Sequence, residues 1–165
     1  MTQENTNISI SIDDLDSHIN NFWFDTLEKK ILSNFKKIKK PYVIYLNGDL
    51  GAGKTTWTRS LLRMLGVTGT VKSPTFNYVI EYEIFKQIIE FVYHFDLYRL
   101  ESIDANSFFE LGLDEPFSNG LDKPALCIIE WADKGKGVLP KADLIIDFGL
   151  NLNDESSRFI SYKFC

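Results

Sequence analysis

Cysteine is scarce in this chain: among 165 residues only Cys127, inside an apolar run, and Cys165, at the last position, carry thiols. Two such residues build neither a disulfide framework nor a multi-cysteine metal cluster, so a reduced, cytoplasmic setting is expected. Long apolar runs are missing as well. No stretch approaches the roughly 20 residues that a membrane-spanning helix needs, and residues 1–7 lack the basic-then-apolar layout of a signal peptide. A soluble, unprocessed protein with no membrane partner is predicted. Positive charge is in deficit, 18 Lys and Arg against 23 Asp and Glu, for a net charge of -5. That balance argues against a general grip on nucleic-acid phosphates, so DNA is not an expected ligand and contact with RNA would run through a partner. Repeats, low-complexity tracts and an interdomain linker are also missing. With 44% hydrophobic and 25% charged residues, one globular domain over residues 1–165 is expected, large enough to bury a core unaided.

What is present centres on residues 48–55, Gly48-Asp49-Leu50-Gly51-Ala52-Gly53-Lys54-Thr55, which read G-x-x-x-x-G-K-T. In such a phosphate-binding loop backbone N–H groups cradle a polyphosphate, the lysine adds charge and the threonine hydroxyl can hold Mg²⁺. Glycine lets the chain approach phosphate oxygens closely, and the helix that follows offers unpaired N–H groups and a partial positive charge. The flanks agree. Residues 42–46 form an apolar strand pattern, and residues 54–65 place Trp57, Leu61, Met64 and Leu65 at helical spacing. Chance produces the four fixed positions in a chain this long on the order of once in two hundred sequences, so an accidental glycine turn is the weaker account.

Along the rest of the chain, Ile8, Ile10 and Ile12 alternate with serines as in a half-buried strand. Asp13 is placed to cap a helix carrying Leu15, Ile19, Phe22, Trp23, Leu27, Ile31 and Phe35 on one face. That helix ends among Lys36, Lys37, Lys39 and Lys40, a partner-binding patch in one reading and, in the plainer one, charges that suit its C-terminal dipole, and Pro41 stops it. Gly66 closes the second helix. Residues 71–76 predict an ordered turn at Ser73-Pro74, and residues 77–83 and 88–96 a β-hairpin. Ser102 is placed to cap a short helix through Phe108, Phe109 and Leu111 that Gly112 ends, before a polar loop over 114–122. Residues 125–129 are a continuous apolar run, the mark of a buried parallel strand. Residues 143–150 and 158–164 predict a closing hairpin. The expected fold is α/β: a central mixed sheet of the phosphate-loop NTPase kind, with a parallel core, an antiparallel portion and flanking helices.

Nucleotide turnover needs acidic groups to hold Mg²⁺ and place a water. Asp96 and Glu130 each end a predicted strand, where ligands of open α/β sheets lie, beside Lys54 and Thr55. Glu130 closes an apolar run and so needs water, a partner or a metal; the plainer account of both acids is that each marks where its strand emerges into solvent. His94, two residues before Asp96 on the same strand face, is a metal or phosphate ligand in one reading and a structural histidine in the commoner one. Arg99 can neutralise charge or form a surface ion pair, Trp131 can stack on a base or cap the core, and Ser73 and Thr75 sit where a switch loop would sense a γ-phosphate, although a capped turn explains them equally well.

Taken in order, G-D-L-G-A-G-K-T-T, S-P-T-F-N-Y, H-F-D-L-Y-R-L, E-L-G-L-D-E and I-I-E-W-A-D-K resemble the TsaE family, formerly called YjeE, from Ile8 to Leu150. The resemblance implies a bacterial ATPase required for threonylcarbamoyl modification of the adenosine beside the anticodon of tRNA, acting with the TsaD and TsaB proteins, TsaD performing the transfer. It further implies ATP and Mg²⁺ as cofactors. Asp49, Leu50, Gly51, Ala52, Gly53, Lys54, Thr55 and Thr56 would surround the phosphates, Thr55, Asp96 and Glu130 would serve the metal, and Glu130, Asp96 and Lys54 would serve hydrolysis. Ser73, Pro74, Thr75 and Phe76 match a switch-like loop, and Trp131 a tryptophan near the nucleotide. Residues 83–91 are longer and more apolar than in the family, and Ala132 stands where proline is frequent. Two rival functions keep the same loop: a small-molecule or nucleoside kinase, which wants an arginine-bearing lid that Arg59, Arg63, Arg99 and Arg158 do not evidently form, and an adaptor that senses ATP without hydrolysing it.

Overall fold

Residues 7–74, 77–85, 87–117 and 121–165 are described by the computed structural model. The apolar run before the glycine loop becomes β2 (Tyr42–Asn47), flanked in parallel by β5 (Ala125–Glu130) and β6 (Leu144–Leu150). β5 pairs in parallel with β4 (Phe91–Asp96), which turns back antiparallel into β3 (Val79–Glu83). On the other side β6 pairs antiparallel with β7 (Ser157–Phe164), and β7 with β1 (Asn7–Ser11). The seven-stranded order is β1-β7-β6-β2-β5-β4-β3. The parallel core with antiparallel margins agrees with the fold expected from sequence.

All six residues of β5 are buried because both faces of the sheet are covered there, which is why its sequence is a run and not an alternation. One face carries Ile44, Leu46, Leu126 and Ile128 against Trp57, Leu61 and the N-terminal helical segment. The opposite face packs Val43, Phe95, Cys127 and Ile129 against Phe108 and Leu113.

The N-terminal segment departs from the single regular helix expected. It runs as α1 (Leu15–Phe22), a π-helical turn (Trp23–Leu27) and α2 (Glu28–Ile38). Its buried residues, Leu15, Ile19, Trp23, Leu27, Ile31 and Phe35, recur at every fourth position. In an α-helix each such step overshoots one turn by about 40°, so the stripe would wind off the sheet. The wider π turn takes up part of that drift. The cap is also shifted by one residue: Asp14, not Asp13, is the N-cap and makes no side-chain bond to the helix. Ser11 Oγ instead accepts the Asp14 N–H at 3.2 Å and donates to Asp14 Oδ2 at 2.7 Å.

α3 (Lys54–Met64) leaves the glycine loop and ends as predicted at Gly66, φ 94°, where the Val67 N–H donates to the Leu62 carbonyl at 2.9 Å. α4 (Ala105–Glu110) is capped by Asp104, whose Oδ1 accepts the Ser107 N–H at 2.8 Å, and not by Ser102. The expected hairpins form as β3–β4 and β6–β7, and a short 3₁₀ turn at Glu115–Phe117 interrupts the polar loop. Among the described residues no helix is long and apolar enough to cross a membrane.

Candidate functional site

Residues 48–55 leave the end of β2 and enter α3, so the fold aims the glycine loop past the carboxyl ends of β2, β4 and β5. Gly48, Gly51 and Gly53 take φ of 141°, 78° and 107°. The requirement is steric at Gly48, where a Cβ would lie 2.6 Å from the Phe148 carbonyl oxygen of the neighbouring strand. Gly53 is the left-handed N-cap of α3 and supplies no side-chain partner to its first turn. Those N–H groups and the positive end of the helix therefore face the loop as an anion site.

Lys54 is buried, and its Nζ donates to the carbonyls of Gly48 at 2.5 Å and Asp49 at 2.9 Å. The same ammonium lies 4.2 Å from the centre of the Trp131 ring. Burial lowers its pKa, while Glu130, Asp96 and Asp49 draw it back up. The cation is thus held on weak neutral acceptors of its own loop, with carboxylates nearby.

Thr55, in the first turn of α3, donates from Oγ1 to Glu130 Oε2 at 2.9 Å. Glu130, the last residue of β5, is 2% exposed and its Oε1 lies 2.9 Å from His94 Nε2. Asp96 ends β4 in register with Glu130. Its Oδ2 accepts from Ser73 Oγ and its Oδ1 from the Tyr98 N–H at 3.1 Å. Trp131 is left-handed, φ 60°, an uncommon backbone for an aromatic residue, and its ring packs 5.0 Å from that of Tyr98. Thr55, Ser73, Asp96, Glu130 and Trp131 with the glycine loop line a cleft of about 350 Å³. On the other side of Gly51 and Gly53 a second cavity of about 240 Å³ is lined by Ile12, Trp57, Phe148 and Arg158, with Thr56 shared between the two.

Most of the residues picked out from sequence therefore meet in one place. Leu50 is exposed at the cleft, while Ala52 is buried and Asp49 serves Lys54 through its carbonyl. Arg99 is exposed in the turn after β4. Thr75 and Phe76 lie outside the described residues. His94 is neither a surface ligand nor a bystander: it is fully buried and bonded to Glu130. Sequence reasoning missed that contact, the Ser73–Asp96 bond and the cavity at Arg158. The one available signal for the first was the shared strand face of His94 and Asp96.

A family model described as threonylcarbamoyl adenosine biosynthesis protein TsaE matches residues 25–160. The chain belongs to the TsaE family. It is similar to the tRNA threonylcarbamoyladenosine biosynthesis protein TsaE of Haemophilus influenzae, 46% identical over 109 residues that cover 66% of this chain and 63% of that one. The TsaE of Bacillus subtilis is 40% identical over 104 residues, 63% of this chain and 59% of that one. The TsaE of Rickettsia typhi is 33% identical over 141 residues, 82% of this chain and 90% of that one. The matched stretch thus spans less than two thirds of the first two relatives. Among solved structures the fold resembles that of YdiB from Bacillus subtilis, with a TM-score of 0.63 and 26% identity over 100% of this chain and 89% of that one. The TsaE relatives are named for tRNA threonylcarbamoyladenosine biosynthesis.

Proposed function

We propose that this chain is a Mg²⁺-dependent ATPase that supports threonylcarbamoyl modification of the adenosine beside the anticodon of tRNA, in the cytoplasm, by driving turnover of a complex of TsaD and TsaB. One observation carries the enzymatic part: the hydroxyl that follows the loop lysine, Thr55 Oγ1, lies against Glu130 Oε2 at 2.9 Å, with Asp96 on the adjoining strand end. The family to which the chain belongs supports the tRNA part. One sheet containing all seven described strands supports a single ATPase domain over residues 1–165.

The residues present fit both ATP and its metal. A Cβ at Gly51 would meet nothing within 4 Å and the first turn of α3 has no side-chain cap, so the loop leaves open space and unpaired N–H groups for phosphate oxygens. Thr55, Glu130 and Asp96 offer hard oxygens suited to Mg²⁺. Among the described residues no three His, Cys, Asp or Glu side chains converge as a metal cage, so phosphate oxygens and water would complete the shell. When bound, Mg²⁺ supplies charge neutralisation to the β- and γ-phosphates.

The protein's own contribution is electrostatic. Lys54 exchanges its two loop carbonyls for phosphate oxygens, gaining charge-assisted bonds in place of neutral ones. The loop N–H groups hold the non-bridging oxygens as charge moves onto the leaving phosphate. Glu130 or Asp96 accepts the hydrogen bond that orients the attacking water. The cavity bounded by Ile12 and Arg158 takes the nucleoside, and Trp131 shields the phosphate cleft from solvent.

Reconstitution tests the reading: tRNA, TsaD, TsaB and the threonylcarbamoyl donor are assayed for repeated rounds of modification with and without this chain and ATP. Weak ATP hydrolysis that rises with TsaD and TsaB, together with multiple turnover only when the chain is present, is expected. An unchanged hydrolysis rate and a single round of modification in both mixtures would refute it. Phosphorylated product with an added acceptor would favour the kinase instead.

A further inference from the structure

We infer that His94 is a positioning residue that fixes the rotamer of Glu130, and hence the contact of that carboxylate with Thr55. The inference rests on the ATPase reading above. His94 and Asp96 share one face of β4, and β4 runs parallel to β5 with Asp96 opposite Glu130. His94 therefore sits one pleat below the cleft, beneath the first turn of α3, with no exposure at all. His94 Nε2 lies 2.9 Å from Glu130 Oε1, a hydrogen bond that the ring makes as donor in the tautomer carrying its proton on Nε2. Glu130 is then held at both oxygens, Oε1 by the ring from below and Oε2 by Thr55 from the loop side. Its remaining lone pairs are left with a defined direction.

His94 spends one nitrogen on Glu130, and Nδ1 has no partner among the described residues. Burying the ring costs free energy that its bond to Glu130 offsets only in part, since Nδ1 stays unpaired among the described residues. A glutamate side chain free to rotate about three torsions would otherwise populate several rotamers at the strand end. The ring, packed and stiff, restricts it to the one that faces Thr55.

The test compares His94→Gln, whose amide nitrogen reaches where Nε2 lies, with His94→Asn, whose amide stops near Nδ1. If the asparagine variant does not fold, His94→Leu replaces it. Single-turnover ATP hydrolysis, ATP affinity and a crystal structure are measured for each. The expected result is a fall of at least tenfold in the hydrolytic rate for Asn, an ATP dissociation constant within about threefold of the parent, and recovery of most of the rate by Gln. The crystal structure of the Asn variant should show Glu130 turned away from Thr55 Oγ1, and that of Gln should keep the contact. In a Glu130→Gln background, His94→Asn should cost little further rate. Parent-like hydrolysis by the Asn variant, equal loss in Gln and Asn, or an undisturbed Glu130 in the Asn structure would overturn the inference alone. A parent chain that hydrolyses no ATP would sink the ATPase reading and the inference with it.

Discussion

Replacing Gly48 by alanine should damage the fold more than the same change at Gly51, although both glycines belong to one loop. At Gly48 the added methyl would meet the Phe148 carbonyl oxygen at 2.6 Å, Phe148 Cβ at 3.0 Å and Ala52 Cβ at 3.2 Å, at a φ of 141°. The backbone term alone costs about 1–3 kcal/mol, and the overlap, which strand β6 can relieve only by moving, adds about 1–3 kcal/mol. At Gly51 the φ is 78° and the methyl meets nothing within 4 Å, leaving only the left-handed backbone cost of about 1–2 kcal/mol. For a chain of this size 1 kcal/mol shifts the melting temperature by roughly 2–4 °C. A central figure of about 4 kcal/mol then predicts a drop of roughly 8–16 °C for Gly48→Ala, against roughly 2–8 °C for Gly51→Ala. Thermal and urea melts of the two variants supply the first readout, and ATP titration the second. The open space at Gly51 is where a phosphate oxygen would lie, so Gly51→Ala should lose ATP affinity out of proportion to its small loss of stability. Equal melting of the two variants would refute the steric argument, and normal ATP affinity in Gly51→Ala would refute the placement of the phosphates.

Two further outcomes follow from the titratable groups. Burial raises the Asp143 pKa above its ordinary 3.8 against the opposing hydrogen bonds from Val43 and Asn34. The folded state therefore binds this proton more tightly than the unfolded chain, and the stability it lends is full below about 3.8 and lost as pH rises through the folded value. Asp143→Asn should flatten that part of the stability profile in urea melts at stepped pH, and an unchanged slope would exclude Asp143 as its source. Cys127 is buried with its thiol pushed well above the usual range, whereas Cys165 is exposed. A thiol reagent should label one cysteine rapidly in the native protein and the second only on unfolding, and two fast equivalents would contradict the packing around β5.

Much of this architecture is written locally in the chain. The loop glycines, the run at residues 125–129 and the glycine after α3 each act through their own backbone, so pattern and position identify them. The π turn at Trp23–Leu27 is different, since a spacing of four reads as amphipathic helix whether or not the helix is regular. Asp104 displaced Ser102 as a cap because either residue type serves and only the chain path decides. The site shows the same division. Lys54 and Thr55 follow from the motif, and Asp96 and Glu130 from strand ends, but the bonds from His94 to Glu130 and from Ser73 to Asp96 depend on strand order and register, which no local pattern specifies.

If Thr55, Glu130 and the glycine loop together seat Mg²⁺-ATP, the metal must strengthen the protein's hold on the nucleotide. A calorimetric titration of the parent and of Thr55→Val with ATP, with and without Mg²⁺, tests it most directly. Mg²⁺ should tighten ATP binding to the parent, and Thr55→Val should lose this gain while melting close to the parent. Absence of binding heat in the parent, or undiminished Mg²⁺-dependent affinity in Thr55→Val, would contradict it.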